Sequence, residues 1–350
     1  MVLSSIREQL ETDESRRLAP GAQLSKFSRG RLHPDRDCPV RTAFQQDRDR
    51  ILHSVSFRNL KFKTNVFLST KGEKFRTRLT HALEVSQLGR TIARALSLNE
   101  DLVEAISLGH DLGHTSYGHV GEDVLKKLTG GKFSHSQQSL RVVDVLEKDG
   151  KGLNLTAEVR DGILKHTKGP RSMKLFDGTG EFGKPLTLEG QIVQFADWLA
   201  YINHDVDDAV TMKIVKASDF PRSAMNVLGR RQSQRLDTMV RDLITASRDL
   251  SAIHMSPEIL EATEEVRHYL YGHVYTHPKI ADELLKAKHV ITMLFEYYMK
   301  HFDKVMEEWP WADRKDTMQT VTDFVAWQSD YSCLERYETI RASEPYTVIL

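Results

Sequence analysis

The residues best able to do chemistry in this chain are histidines, and they are unevenly placed. Of the 15, His81, His110, His114 and His119 fall close together and His135 lies just beyond. The densest run is His110-Asp111-Leu112-Gly113-His114-Thr115-Ser116-Tyr117-Gly118-His119-Val120-Gly121-Glu122. Imidazole nitrogen with carboxylate oxygen is a borderline donor set, suited to Mn, Fe, Co, Ni or Zn and also to Mg. On a helix, neighbours are about 100° apart, so His110 and Asp111 can converge on a point between their directions. His114, four residues after His110, shares its face if the helix continues that far. Two ligands do not hold a catalytic ion, so more must come from other helices. His81, in Arg78-Leu79-Thr80-His81, and Asp197, in Phe195-Ala196-Asp197-Trp198-Leu199-Ala200-Tyr201, are the candidates. An acid inside that apolar run is costly to bury without a cation or a hydrogen-bonding partner. Each residue alone reads as well as a structural one; the order His, His-Asp, Asp carries the weight. Gly109, Gly113, Gly118 and Gly121 lower helix stability, which calls for something approaching the backbone closely.

The elements that must position these groups are helical nearly throughout. From Arg78 to Leu98 the apolar residues Leu79, Ala82, Leu83, Val85, Leu88, Ile92, Ala95 and Leu96 follow a helical period. Asn99 caps a second helix, with Glu100 and Asp101 in its first turn and Leu102, Ala105 and Ile106 on its apolar face. Further helices are predicted over Ser134–Glu147, Ala157–Lys165, Leu188–Ala209, Ser233–Ser247 and Ile280–Met306. Thr64–Leu68 is the best short candidate for a strand. Residues 1–40 read as a partly irregular arm with a helix near Ile6–Glu14, and Gly169–Lys184 as a surface loop. The expectation is an all-α chain, with a core over 41–215 and a C-terminal helical region over 216–350 packed on it.

Composition bounds the function. With 350 residues, 40% hydrophobic and 28% charged, the chain can bury a sizeable core. No apolar run approaches the roughly 20 residues that span a bilayer, and the first residues lack the pattern of a signal peptide. Cys38 and Cys333 lie far apart and form no metal or redox motif, which fits a reducing cytoplasm. Net charge is zero, yet residues 1–80 carry 17 Lys+Arg against 9 Asp+Glu, leaving 32 against 40 for the rest. A basic leading segment suits a polyanion such as a triphosphate or nucleic acid. Interleaving such as Asp47-Arg48-Asp49-Arg50 equally allows these arginines to pair among themselves.

His81, His110-Asp111 and Asp197 in this order resemble the H…HD…D quartet of the HD superfamily of metal-dependent phosphohydrolases. The resemblance extends to the deoxyguanosine triphosphate triphosphohydrolase-like branch. It is carried by Arg41–Ser54, Phe57-Arg58-Asn59-Leu60-Lys61, Lys63-Thr64-Asn65-Val66-Phe67, Arg78–His81, His110–Glu122, Asp197–Asp205 and Val274-Tyr275, and spans about residues 38 to 300. Thr115-Ser116-Tyr117 stands where the family often has Thr-Pro-Phe, and Asn65 where it often has Gln. Neither removes a ligand, but Asn65 bears on base preference, so dGTP specificity is not assumed.

The resemblance implies an HD-domain helical fold and hydrolysis of a dNTP to the deoxynucleoside and intact triphosphate, by attack at the α-phosphorus. It implies one divalent metal ion (Mn, Mg, Fe, Co, Ni or Zn) on His81, His110, Asp111 and Asp197. Arg78 matches the phosphate-contacting arginine of the family. His119 matches the general acid, with Glu122 orienting it, and His114 and His135 match further phosphate or transition-state contacts. Tyr201 and Asp205, at four-residue steps from Asp197, match the residues that pack beneath the deoxyribose and take its 3′-hydroxyl. It also implies a homo-oligomer and a possible dNTP activator, with no membrane contact, and with nucleic acid a possible but not an expected partner. The competing readings are another HD enzyme, a nucleoside monophosphate phosphatase or phosphodiesterase, and a nucleotide- or nucleic-acid-binding regulator. His166, His204, His268, His273 and His277 receive no role.

Overall fold

Helix starts in the computed structural model, which describes residues 5–65, 76–167 and 182–343, follow the capping residues of the sequence. Ser5 and Thr42 close capping boxes with Glu8 and Gln45 at the heads of helices Ile6–Arg17 and Ala43–Leu52. The Asn99 side chain accepts from the Asp101 and Leu102 N–H groups and opens Glu100–Gly109. Each cap satisfies donors that the first helical turn leaves orphaned.

The predicted helices appear with small shifts of boundary, as Arg78–Ala95, Glu100–Gly109, Ala157–Lys165, Leu188–Thr211 and Gln232–Ala246. Two expected helices are broken. The 134–147 stretch is α-helical only over His135–Arg141, then widens to a π turn at Val142–Leu146. The 280–306 stretch splits at His301 into Pro278–Lys300 and Phe302–Glu308. The fold is all-α, and among the described residues the only β contacts are isolated bridges, Arg31 with Thr156 and Thr64 with Thr77. The remainder of the Thr64–Leu68 strand candidate, and most of the Gly169–Lys184 loop, lie outside the described residues. No helix among them is long and apolar enough to cross a membrane.

One hydrophobic cluster joins Phe44, Ile51, Val85, Ile92, Ile106, Ile163, Phe195 and Leu199 and runs on to Leu270 and Val274. A second joins Val124, Leu125 and Phe133 to Ile291, Leu294, Phe324 and Val325. The second cluster thus places the Thr317–Trp327 and Asp330–Ser343 helices behind the His-rich run.

The leading arm is held by polar groups. Glu14 accepts from the Ser25 backbone and hydroxyl at 2.8 and 2.7 Å, and Glu158 from the Arg29 N–H and Ser28 hydroxyl at 2.7 and 2.8 Å. Arg31 pairs with the fully buried Asp47, which also accepts from the Thr156 N–H at 2.8 Å. Arg41 meets Asp49, Arg48 meets Asp49, Asp101 and Glu104, and Arg50 meets Asp35. These arginines are therefore paired with acids of the arm and its neighbours.

Candidate metal centre and histidine row

Three helices bring the quartet together. His81 is one turn into Arg78–Ala95, His110 caps the C-terminus of Glu100–Gly109 with Asp111 beside it, and Asp197 lies within Leu188–Thr211. His81 Nε2 is 3.0 Å from Asp197 Oδ1. His110 Nε2 is 3.6 Å from Asp111 Oδ1 and 3.9 Å from Asp197 Oδ1. His81, His110 and Asp111 form one set of donors within 4.8 Å of one another, and His110, His166 and Asp197 form another. These donors fit a divalent cation for a specific reason. His110 Nδ1 gives its hydrogen to the Ser107 carbonyl at 2.6 Å, so a neutral ring points the Nε2 lone pair at the carboxylates. That buried nitrogen has no hydrogen-bond partner. A lone pair facing two carboxylates, with no proton between them, is the arrangement that a metal completes.

The electrostatics without a cation show the same tension. Burial opposes the charge on His81, but the hydrogen bond and charge of Asp197 outweigh it and raise its pKa. Burial likewise opposes the ionised forms of Asp197 and Asp111. The surrounding histidines, with Arg78 for Asp111, overturn that and hold both below the usual carboxylate range. Arg78 is itself buried; it donates to Asp111 Oδ2 at 2.5 Å and to the Asn65 carbonyl at 3.0 Å, which leaves its Nε without a partner. Asn65 is buried beside it, with its side-chain nitrogen unpartnered.

The helix bearing His110 does not continue to His114. It ends at Gly109, and residues 110–118 turn back on themselves. His114 therefore leaves the His110 face and stacks on His135, with ring centroids 4.5 Å apart. The expectation of close backbone approach holds, and the approaching groups belong to the protein. A Cβ on Gly113 would lie 2.1 Å from the Ser139 nitrogen, and one on Gly121 would lie 2.3 Å from the Ser116 oxygen.

Glu122 organises the histidine row. It accepts from the His135 backbone N–H at 2.8 Å, lies 2.8 Å from His135 Nδ1 and lies 3.1 Å from His119 Nδ1. His135 and His119 overcome the effect of burial and hold its carboxyl below the usual range. His119 opens the His119–Leu128 helix with a side chain 69% exposed, whereas His114 and His135 are buried. Burial, reinforced by Arg78, pushes the His114 pKa well down.

Farther along Leu188–Thr211, Tyr201 is half-buried and Asp205 is fully buried. The Tyr275 hydroxyl donates to Asp205 Oδ2, and Oδ1 has no partner. Burial pushes the Asp205 pKa up to about 7, against the pull of that hydrogen bond. Tyr275 belongs to the Val274-Tyr275 pair already singled out in the sequence.

Several site residues received no role from the sequence. His166 follows Ala157–Lys165, and its Nε2 is 3.9 Å from Asp111 Oδ1 and 3.2 Å from His135 Nε2. The buried apolar residues Val159 and Ile163 precede it by seven and three positions, so helical period alone would have set His166 on the buried face. Lys63 is buried, donates to the His114 and Ala326 carbonyls at 2.6 and 3.0 Å, and has its pKa pushed down to about 8 by burial. Asp330 accepts from the Tyr117 and Thr64 N–H groups, both at 2.9 Å, and Asp323 accepts from Arg141 and Gln138. The C-terminal helices thus brace both the 110–118 turn and the His135 helix. His204 pairs with Glu84 at 2.6 Å and lies edge-on to His81. An open cleft of about 1090 Å³ beneath the leading arm, lined by Arg7, Lys26, Arg31 and His33 among others, contains none of the His–Asp cluster.

Residues 78–202 match the HD domain family, and residues 253–339 match the phosphohydrolase-associated domain. Deoxyguanosinetriphosphate triphosphohydrolase-like proteins of Caldanaerobacter subterraneus subsp. tengcongensis, Desulfatibacillum aliphaticivorans and Clostridium tetani are 49%, 46% and 42% identical to the chain. The alignments cover 97%, 96% and 96% of it, and 97%, 98% and 96% of those proteins.

Proposed function

Because this chain belongs to the deoxyguanosinetriphosphate triphosphohydrolase-like family of HD-domain proteins, we propose that it hydrolyses deoxynucleoside triphosphates to the deoxynucleoside and inorganic triphosphate. The observation that carries the reading is the convergence of the buried His81, His110 and Asp111 with the partly buried Asp197 beside a row of three further histidines. A divalent cation on those four residues would supply a Lewis acid for the α-phosphate and a means of ionising water near neutral pH. His110 is set for this by its Nδ1–H bond to Ser107, and Asp111 by the Arg78 guanidinium on its other oxygen.

The protein's own groups then handle charge and protons. Arg78 brings a permanent positive charge to the phosphate-binding side, and its Nε–H has no partner within the protein. His119, exposed at the mouth of the row and paired with Glu122, donates a proton to the departing 5′-oxygen. Glu122 holds the His119 and His135 rings in place, and His114 and His135 line the phosphate path. Tyr201 packs under the deoxyribose, and the free Asp205 oxygen accepts from the 3′-hydroxyl. The catalytic unit is residues 41–215, with the arm of residues 1–40 and the helices of 216–350 packed on it. Assembly into a homo-oligomer and activation by a second dNTP belong to the same proposal.

The test is product identity. The four dNTPs, singly and mixed, are incubated with Mg²⁺, Mn²⁺ or Co²⁺ and the phosphate products separated. Tripolyphosphate in amounts equal to deoxynucleoside is the expected result. Pyrophosphate or orthophosphate as the primary product overturns it, and turnover of nucleoside monophosphates alone would favour a monophosphate phosphatase.

A further inference from the structure

The His114 ring is held differently from its neighbours. His110, His119, His135 and His166 each have a ring nitrogen within hydrogen-bond distance of a carbonyl or a carboxylate. The buried His114 Nδ1 has no partner, so this ring is placed by its stacking on His135 and by its own backbone. That backbone is gripped from behind. The buried Lys63 ammonium donates to the His114 carbonyl at 2.6 Å and to the Ala326 carbonyl at 3.0 Å. Ala326 lies in the last turn of Thr317–Trp327, where helix carbonyls lack intrahelical donors and the negative end of the dipole favours a cation. The Lys63 carbonyl in turn accepts from the Arg78 N–H at 3.1 Å, at the head of the helix that carries His81. Two further contacts run alongside. The Asp330 carboxylate accepts from the Thr64 and Tyr117 N–H groups, and the Ser116 hydroxyl donates to the Gln328 carbonyl at 2.7 Å. A charged amine is costly in such a place, and burial pushes its pKa down to about 8. An apolar side chain of similar length would fill the space without that cost, so what the ammonium adds is the link between the two carbonyls.

We propose that Lys63 is a positioning residue: by tying the His114 carbonyl to the end of the Thr317–Trp327 helix, it holds the His114 ring against His135. The inference rests on the proposed function only for what His114 does there, which is to line the phosphate path. Lys63 acts through His114 and not on the substrate. Without the ammonium both carbonyls are left buried and unpaired, the 110–118 turn relaxes from the C-terminal helix, and the ring loses the backbone that places it.

The test reads the ring and the rate separately. The full-length protein is labelled with ¹³C at histidine Cε1, loaded with Mg²⁺ and held at one pH. The His114 resonance is identified by its loss in His114→Gln. In Lys63→Met that resonance should shift, because the ring leaves the stack at 4.5 Å from His135. Lys63→Gln keeps a donor on a shorter side chain and should shift it less; it also serves if the methionine variant folds poorly. Turnover per folded molecule should fall by roughly 10–10² in Lys63→Met, the cost of displacing a group by about 1 Å. In the His114→Gln background the same substitution should cost less than about threefold, since residues acting as one unit are not additive. A general structural role would instead repeat the full loss in that background. A His114 resonance unmoved in both variants, an unchanged rate, or a loss repeated in full without His114 overturns the proposal. Product analysis keeps the two readings apart. A wild-type protein that releases no tripolyphosphate sinks the proposed function, while the resonance still decides whether Lys63 places His114.

Discussion

Replacing Gly113 with alanine adds a methyl group where two backbones already touch. The new Cβ would lie 2.1 Å from the Ser139 nitrogen and 2.2 Å from the Gln138 carbonyl carbon, while ordinary contact begins at 3.4 Å. The turn of residues 110–118 and the His135–Arg141 helix must therefore separate by about 1.3 Å, the difference between 3.4 and 2.1. Neither side is a flexible tip, and the Gly113 N–H bond to Ser139 Oγ at 2.9 Å is strained by the same motion. Overpacking of this kind costs about 1–3 kcal/mol. With an unfolding entropy of about 2.1 cal/mol/K per residue, 3 kcal/mol on a chain this long lowers the melting temperature by roughly 4 °C. The functional effect is larger, because the turn carries Asp111 and His114 while the helix carries His135. Displacement of reacting groups by about 1 Å costs on the order of 10² in rate. Differential scanning calorimetry and turnover per folded molecule measure both effects. Gly272→Ala is the control: no atom lies within 4 Å of its added Cβ, and in the Pro257–His273 helix alanine should stabilise by about 0.5–1 kcal/mol. A Gly113→Ala protein melting within a degree of wild type and turning over at the wild-type rate would refute this account of the backbone contact.

Asp111→Ala should remove metal and turnover together and also lower stability, since it strands the buried Arg78 without its carboxylate. Asp111→Asn should lose metal with a smaller drop in melting temperature, and full metal content by elemental analysis in either variant contradicts the assignment. His119→Ala removes a side chain 69% exposed, so melting temperature and Mn²⁺ content should hold while turnover falls by roughly 10²–10⁴; an unchanged rate excludes it as the acid. Glu189 accepts from the Gln23 and Asn99 N–H groups, and burial pushes its pKa up to about 7. A carboxyl whose folded pKa is raised binds more protons folded than unfolded between its two pKa values. The stability it lends is therefore complete below about pH 4.5 and is lost as pH rises through 7, by up to about 3 kcal/mol. Relative to wild type, Glu189→Gln should melt higher at pH 8 than it does at pH 5, and a difference independent of pH contradicts the burial argument.

Helix positions were readable because a buried stripe imposes its period on the chain, as from Leu79 to Leu96 and from Leu188 onward. The quartet was readable for a related reason. His, then His-Asp, then an acid in an apolar run supply the donor chemistry of a shared cation, and the order of those residues survives in one dimension. The leading arm was under-read, since period and hydropathy register apolar burial, and this segment is held by Glu14, Asp47 and Glu158. The place of His114 depended on where the Glu100–Gly109 helix stops. That is decided by the contact of Gly113 with Ser139, 26 residues away in the chain. His166 gained its setting from Asp111 and His135, and Lys63 from a carbonyl in the C-terminal Thr317–Trp327 helix. The sequence by itself thus determined the helical fold and the choice of the four metal-ligand candidates, because periodicity and donor chemistry are properties of the residues themselves. Tertiary structure alone decided which histidines face one another and which groups brace them, because a lone pair or a buried ammonium has a partner only once distant backbone is brought within about 3 Å of it.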